Sequence, residues 1–276
     1  MAGNRLILHT NDKVVATTSR GNQEKWSDPE RNLWYKVDDG YFEALAEAVA
    51  SEVLRHFTNA TQLPGISVAN YWIGTAEVHG LTRVVSVSEN FKKEDESLVT
   101  VNTILKNCLG TEYIREFNQR SSLKERIWFL VETVESATGM ENFGEYFTTL
   151  LELDALFLNQ DRHLNNIALL RSEAGYKPCP IFDCGDSFLL DFTLYRPDVE
   201  SRAYLSKAQC LPFKSRFTQT VHTAQSVYGK QLSVSFERED IAAILDKYLD
   251  YYPKQFRPLL KERIMTVLLE QQKKLF

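Results

Sequence analysis

The sequence predicts an α+β chain, with strands gathered toward the N-terminus and helices toward the C-terminus. Two runs rich in β-branched and aromatic residues, Leu33–Val37 and residues 81–87, lie in its first third. From about Leu98 onward, apolar residues recur mainly at three- and four-residue spacing. The length of 276 residues, at roughly 150 per domain, makes two domains or one two-lobed unit.

Taken in order, residues 1–20 alternate weakly and suit a short strand or hairpin. Residues 21–31 read as a polar loop around Pro29. Leu33, Trp34, Tyr35, Lys36 and Val37 make a short strand closed by the turn signal Asp38-Asp39-Gly40. A helix follows, with Phe42, Leu45, Ala46, Val49, Val53 and Phe57 on one stripe and Asp39 or Gly40 as its cap. Residues 59–65 form a loop around Pro64, and residues 81–87 a strand. Residues 91–96 read as a charged surface segment in which Lys92 and Lys93 are solvated. The boundary between the α+β part and the helical part falls near residues 89–97.

The helical part contains the stripe Phe143, Tyr146, Phe147, Leu150, Leu151, Asp154 and Phe157, ending near Asn159. The period then changes. Residues 167–170 and 180–182 are short apolar runs separated by a turn at 172–175, which predicts a strand, a turn and a strand. Helix returns with Ile241, Ile244, Leu245 and Tyr248, breaks at Pro253, and resumes with Leu259, Leu260, Ile264, Val267 and Leu268.

Composition excludes several classes. Hydrophobic residues make up 43% and charged residues 25%, as in ordinary globular chains, which argues against disorder, collagen and coiled coil. The net charge of −5 gives no support to nucleic-acid binding through bulk charge. No apolar run approaches the roughly 18–20 residues of a membrane helix, so no stable membrane insertion is expected. No signal peptide is visible, which leaves secretion only a route without one. Cys108, Cys179, Cys184 and Cys210 form no CxxC pair, and free thiols in a reducing cytoplasm are expected.

The segment that carries chemistry is Asn159-Gln160-Asp161-Arg162-His163-Leu164-Asn165-Asn166, followed by Ile181-Phe182-Asp183-Cys184-Gly185. Phosphoryl transfer explains these residue types. Such a protein must position a hydroxyl, hold a metal and neutralise charge. Asp161 would orient and deprotonate the attacking hydroxyl. Asn166 and Asp183 would offer hard oxygens to Mg²⁺, which takes few protein ligands. Asn165 competes with Asn166, and the five-residue spacing from Asp161 favours Asn166. His163 is a second candidate base or a support for the loop. Arg162 is either structural or a phosphate-side cation. Asp186 and Asp191 are expected to cap or solvate the following loop.

Asp-Arg-His-x-x-Asn followed by Asp-x-Gly resembles the phosphoinositide-kinase type of catalytic core, and the chain resembles more closely the HipA-like bacterial Ser/Thr kinases. Gly21-Asn22-Gln23-Glu24-Lys25 resembles that family's phosphate-side loop. The stretch 34–47 resembles its lysine strand and following helix, 87–91 its lobe connection, and Pro212-Phe213 after Lys207 a downstream element. The resemblance covers roughly residues 14–215.

It implies a two-lobed protein-kinase-like fold, with an ATP-binding lobe at 1–90 and a catalytic lobe at 91–276. The implied activity is Mg²⁺- and ATP-dependent transfer to a Ser or Thr of a protein substrate. Gly21 would cradle phosphate. Lys36 would hold the α- and β-phosphates, paired with Glu47 in preference to Glu43, which lies one turn away on the same face. Ser88, Glu89, Asn90 and Phe91 would offer backbone groups to adenine. Thr18 and Ser19 are the autophosphorylation candidates. The chain is expected to lack the N-terminal subdomain by which longer relatives dock an antitoxin, so a small antitoxin or regulator protein would need another surface. The alternatives are a lipid or small-molecule kinase on the same core and a nucleotide-binding pseudokinase scaffold.

Overall fold

A computed structural model describes residues 6–8, 24–38 and 40–276. Gly21, Thr18, Ser19 and the proposed cap Asp39 lie outside the described residues. The N-terminal part is a five-stranded sheet of β1 (Ile7–Leu8), β2 (Lys25–Asp28), β3 (Leu33–Val37), β4 (Tyr71–Val78) and β5 (Leu81–Glu89), in the order β1-β4-β5-β3-β2. Neighbours are antiparallel except β1, which runs parallel to β4.

Strand alternation sorts this sheet into two faces. Trp26, Tyr35, Val37, Ala76, Val78, Val85 and Val87 form a small apolar core on one. Lys25, Lys36, Ser86 and Ile73 lie in one row across the other, since Lys25 pairs with Lys36, Lys36 with Ser86, and Ser86 with Ile73. Helix α1 (Glu43–His56) packs against β4 and β5. It starts neither at Asp39 nor at Gly40. Phe42 takes the N-cap position with φ 59°, and the Asp38 carboxylate accepts the Phe42 N–H at 3.0 Å.

Three strands escape the sequence pattern. β2 occupies part of the expected polar loop, with Trp26 buried between polar neighbours. In β4 the alternation is interrupted by Gly74, where a Cβ would lie 3.2 Å from Val87 Cγ2. β6 (Ser97–Thr100) precedes the expected helix and pairs with β7 (Ala168–Ser172), which also pairs with β8 (Gly175–Pro178). The second strand of that hairpin is therefore residues 175–178 and not 180–182. Ile181 makes a single parallel bridge to Val68.

Helices α2 (Val101–Leu109), α3 (Tyr113–Gln119), α4 (Leu123–Thr138), α5 (Phe143–Phe157), α6 (Phe217–Tyr228), α7 (Arg238–Tyr248) and α8 (Arg257–Leu275) build the rest, with the short pair β9 (Gln209–Cys210) and β10 (Ser215–Arg216) ahead of α6. Every residue of α5 but Glu145 is buried, and α4, α6 and α8 pack around it. That central helix ends at Leu158 in left-handed backbone, φ 54°, which turns the chain sharply into Asn159 and the loop of interest.

Residues 91–96 are not a plain solvated segment. Glu96 is buried, accepts the Lys93 N–H at 3.1 Å, and pairs with Lys177 of β8.

Candidate active site

Lys36, next to the last residue of β3, projects between two carboxylates. Its Nζ donates to Glu47 Oε1 at 3.0 Å and to Asp183 Oδ1 at 2.9 Å. The structure thus pairs Lys36 with Glu47 and not Glu43. The second Glu47 oxygen accepts the Cys184 N–H at 3.1 Å. One buried carboxylate therefore fixes both the lysine and the backbone beside Asp183. Burial alone would raise the pKa of Asp183, but the positive charges of Lys36 and Lys25 outweigh it and hold the carboxyl at about 2. Burial disfavours the Lys36 ammonium, and the charges of Asp183 and Glu47 overcome this and raise its pKa. Asp183 itself has φ 60°, an uncommon conformation for a non-glycine residue.

The loop after α5 is organised by Arg162, which is fully buried. Its guanidinium forks onto Asp154 of α5, with Nε to Oδ2 at 3.0 Å and Nη2 to Oδ1 at 3.0 Å. Nη1 donates to the carbonyls of Asn166 at 3.0 Å and Phe182 at 2.7 Å. Arg162 is thus structural rather than phosphate-facing, and it draws together the two segments that carry Asn166 and Asp183. Asn159 works alongside it. Its Nδ2 donates to Asp154 Oδ1 at 2.8 Å and to the Asp183 carbonyl at 3.4 Å.

Asp161 sits at the front of this loop. The Asn166 side-chain amide donates to the Asp161 carbonyl at 2.9 Å, which turns its Oδ1 away from that bond. Asn165 points elsewhere and accepts from Asn102 of α2 at 2.7 Å. His163 Nε2 lies 3.8 Å from Asp161 Oδ2, and the His163 N–H bonds the Asp161 carbonyl at 2.7 Å. Asp191 caps its own loop by accepting the Thr193 N–H at 2.8 Å.

In the strand connection, some of the backbone groups expected to meet adenine are already bonded. The Asn90 N–H donates to the Asn32 carbonyl at 2.9 Å, and Asn32 Nδ2 reaches back to the Asn90 carbonyl at 3.4 Å. Backbone direction alternates along a strand, so Ser88 and Asn90 spend their backbone groups on the β3 side. Glu89, the last residue of β5, points the other way. The Phe91 ring packs on Phe182, 5.8 Å between centroids, which joins the connection to the residue before Asp183.

Sequence reasoning missed Lys25. It lies opposite Lys36 in the β2–β3 ladder, and burial together with the Lys36 charge lowers its pKa. A usable signal was present. A hairpin that pairs Asp28 with Leu33 must also pair Lys25 with Lys36, placing two ammonium groups on one face.

The site therefore holds two lysines, a buried glutamate, an ionised aspartate and an Asp–Asn loop, tied by shared hydrogen bonds. The donor chemistry fits Mg²⁺. Asp183 offers an ionised carboxylate and Asn166 an amide oxygen, both hard ligands, and Mg²⁺ takes one or two such groups plus substrate phosphates. Among the described residues no cluster of three or more His, Cys, Asp or Glu could serve as an all-protein cage.

Two solved structures align with this chain. A Helicobacter pylori proinflammatory kinase, CtkA, aligns with 98% of this chain and 95% of its own, at a TM-score of 0.64 and 17% identity. HipA, from the Shewanella oneidensis MR-1 toxin–antitoxin system with HipB and its operator DNA, aligns with 99% of this chain and 66% of its own, at a TM-score of 0.46 and 14% identity. No family model and no curated protein sequence matches the chain. The chain has the two-lobed, kinase-like α+β fold, with the sheet at its N-terminal end.

Proposed function

We propose that this chain is a Mg²⁺- and ATP-dependent protein Ser/Thr kinase of HipA-like type. The observation that carries the proposal is Lys36 bridging Glu47 and Asp183 within 3.0 Å, with the Asp161–Asn166 loop bound to the Asp183 segment through Arg162. The ATP cleft runs between a small lobe, residues 1–90, and a large lobe, residues 91–276.

Each residue has a role. Glu89 and Phe91 face adenine with their backbone groups. Lys36 and Lys25 neutralise phosphate charge. Asn166 and Asp183 would hold a Mg²⁺ ion, which when bound would offset the charge of the phosphate oxygens. Asp161 orients the substrate hydroxyl and takes its proton as the oxygen bonds the γ-phosphorus. The bond from that phosphorus to the β–γ bridging oxygen breaks, and ADP leaves. A protein hydroxyl is the acceptor, and Thr18 and Ser19 are the candidates in this chain itself.

The test is incubation with Mg·ATP, read as phosphate gained by the chain or by a substrate, alongside thermal shift on adding nucleotide. Asp161→Asn is expected to lose about 10²–10⁴ in rate while keeping the nucleotide-induced shift. Lys36→Met is expected to lose both. Transfer by Asp161→Asn at the wild-type rate would overturn the assignment. A wild-type thermal shift without transfer would identify a nucleotide-binding scaffold instead.

A further inference from the structure

The catalytic loop has a second side, which the nucleotide chemistry leaves unused. A groove of about 1090 Å³ opens there, walled by His163, Leu164 and Asn165, by helices α2 to α4, and by the segment 211–215 ahead of α6. Its volume lies at the upper end of small-molecule pockets and suits an extended stretch of chain.

The charge of this groove is the reverse of the chain's. Acidic residues outnumber basic ones 37 to 32 in the whole sequence. Yet the groove is lined by Lys106, Arg126 and Lys214 and by no Asp or Glu. None of these three cations has an ion-pair partner among the described residues. Among the described residues the Arg126 side chain makes one hydrogen bond, a long one of 3.5 Å to the Phe213 carbonyl. Glu125, the residue just before Arg126, is held by the Ser121 N–H and Oγ, both at 2.8 Å. Unpaired cations in a concavity attract and orient an anionic partner.

The groove is also coupled to the site. Tyr113 OH donates to Asn102 Oδ1, and Asn102 Nδ2 donates to Asn165 Oδ1 at 2.7 Å. His163 lines the groove and lies 3.8 Å from Asp161. The inner end of the groove therefore reaches the loop that carries Asp161. An exposed apolar side chain, Ile114, gives its outer wall a place for an apolar residue. The cations line a recess between helices, which a chain segment enters and a bilayer surface does not.

We propose that this groove binds an acidic peptide segment of the protein substrate, and that Lys106, Arg126 and Lys214 select carboxylates flanking the acceptor Ser or Thr. This rests on the kinase assignment above, and the test separates the two. Three synthetic peptides carry one Ser flanked by Glu, by Gln or by Lys. Binding of each to the full chain is measured by fluorescence anisotropy, and transfer by kcat and KM.

The Glu peptide is expected to bind about tenfold tighter than the Gln peptide, three partly exposed pairs each contributing a factor of about two. The Lys peptide is expected to bind more weakly than either. In Lys106→Gln/Arg126→Gln/Lys214→Gln the Glu and Gln peptides are expected to converge to within twofold. Lys106→Gln/Lys214→Gln, which spares the half-buried arginine, is expected to lose about fourfold. Equal wild-type binding of the Glu and Gln peptides would overturn the proposal, and so would a triple variant that keeps its preference. Tighter capture by phosphatidylserine vesicles than by the Glu peptide, lost in the same triple variant, would overturn it in favour of a membrane surface. Selective binding of the Glu peptide without transfer would leave the groove standing and remove the kinase assignment.

Discussion

Arg162 is the residue whose replacement reports most directly on how the site is held together. Both it and Asp154 are fully buried. In Arg162→Met the Asp154 carboxylate loses its counter-ion, and an uncompensated buried charge costs about 3–5 kcal/mol. The carbonyls of Asn166 and Phe182 lose a donor as well, at about 1 kcal/mol or more each. The total, about 5–7 kcal/mol, is comparable to the whole stability of many domains. The single variant therefore sits at the edge of folding.

Asp154→Leu/Arg162→Met separates charge from wiring. Exchanging a buried ion pair for apolar groups of similar size is often neutral, so the charge penalty disappears. What remains is the loss of donors to two carbonyls and of the Asn159 Nδ2 acceptor, about 2–3 kcal/mol. Urea unfolding followed by circular dichroism reads both variants. The double variant is expected to be more stable than the single by at least about 2 kcal/mol, or to fold where the single does not. Its transfer rate is nevertheless expected to fall about a hundredfold or more, because Asn166 and the Asp183 segment no longer share a donor. A single variant that loses less than about 1 kcal/mol, or a double variant no more stable than the single, would refute the reasoning.

Two further outcomes follow from local geometry. Asp183 titrates near 2 in the folded chain, against about 3.9 for an unperturbed Asp. A lowered folded pKa gives stability that is complete above the unfolded value and is lost as pH falls through the folded one. The stability gap between wild type and Asp183→Asn is therefore expected to narrow by about 2 kcal/mol between pH 5 and pH 2; a pH-independent gap in denaturant melts would contradict this. At the start of α5, a Cβ on Gly144 would lie 2.4 Å from the Tyr228 ring. Gly144→Ala is expected to cost about 1–3 kcal/mol, most of it recovered by adding Tyr228→Leu, and strictly additive effects in the cycle would show that the two do not touch.

The fold class was legible in the sequence, and so was the nearness of Asp161, Asn166 and Asp183, while several individual strands were not. Asp161, Asn166 and Asp183 stand in one short stretch, and their residue types and spacing are themselves the signal. Spacing alone did not settle the pairing of Lys36, since Glu43 and Glu47 share a helix face, although Glu47 was preferred. Tertiary surroundings separate them. Glu43 shares a hydrogen bond with Asp38, whereas Glu47 reaches Lys36. The strands β2, β4 and β6 were hidden for a related reason. β6 draws its regularity from a partner distant in sequence, Leu98 with Leu170, whereas β2 and β4 pair in hairpins with the strand that follows each, and their own apolar alternation is short or interrupted. The role of Arg162 depends on burial against Asp154, a fact of packing. The groove draws on α2, α3, α4 and segment 211–215, so no single stretch announces it.

Helix α1 belongs to the small lobe by sequence, yet the large lobe holds it at both ends. At its start, Asp38 Oδ2 accepts from Tyr252 OH at 2.8 Å, and the Phe42 ring lies 5.1 Å from Phe192 and 5.7 Å from Phe256. Near its end, Glu52 accepts from Tyr248 OH at 2.8 Å and pairs with Lys247 of α7. Just past it, Asn59 accepts the Ser233 N–H at 2.8 Å. Swinging α1 outward would break these bonds and expose an aromatic cluster at once, so the motion by which many kinases withdraw their glutamate is opposed from both ends. Glu47 is then a fixed post, with one oxygen on Lys36 and the other on the Cys184 N–H. The lysine of the small lobe and the Asp183 segment of the large lobe share that one carboxylate as their reference.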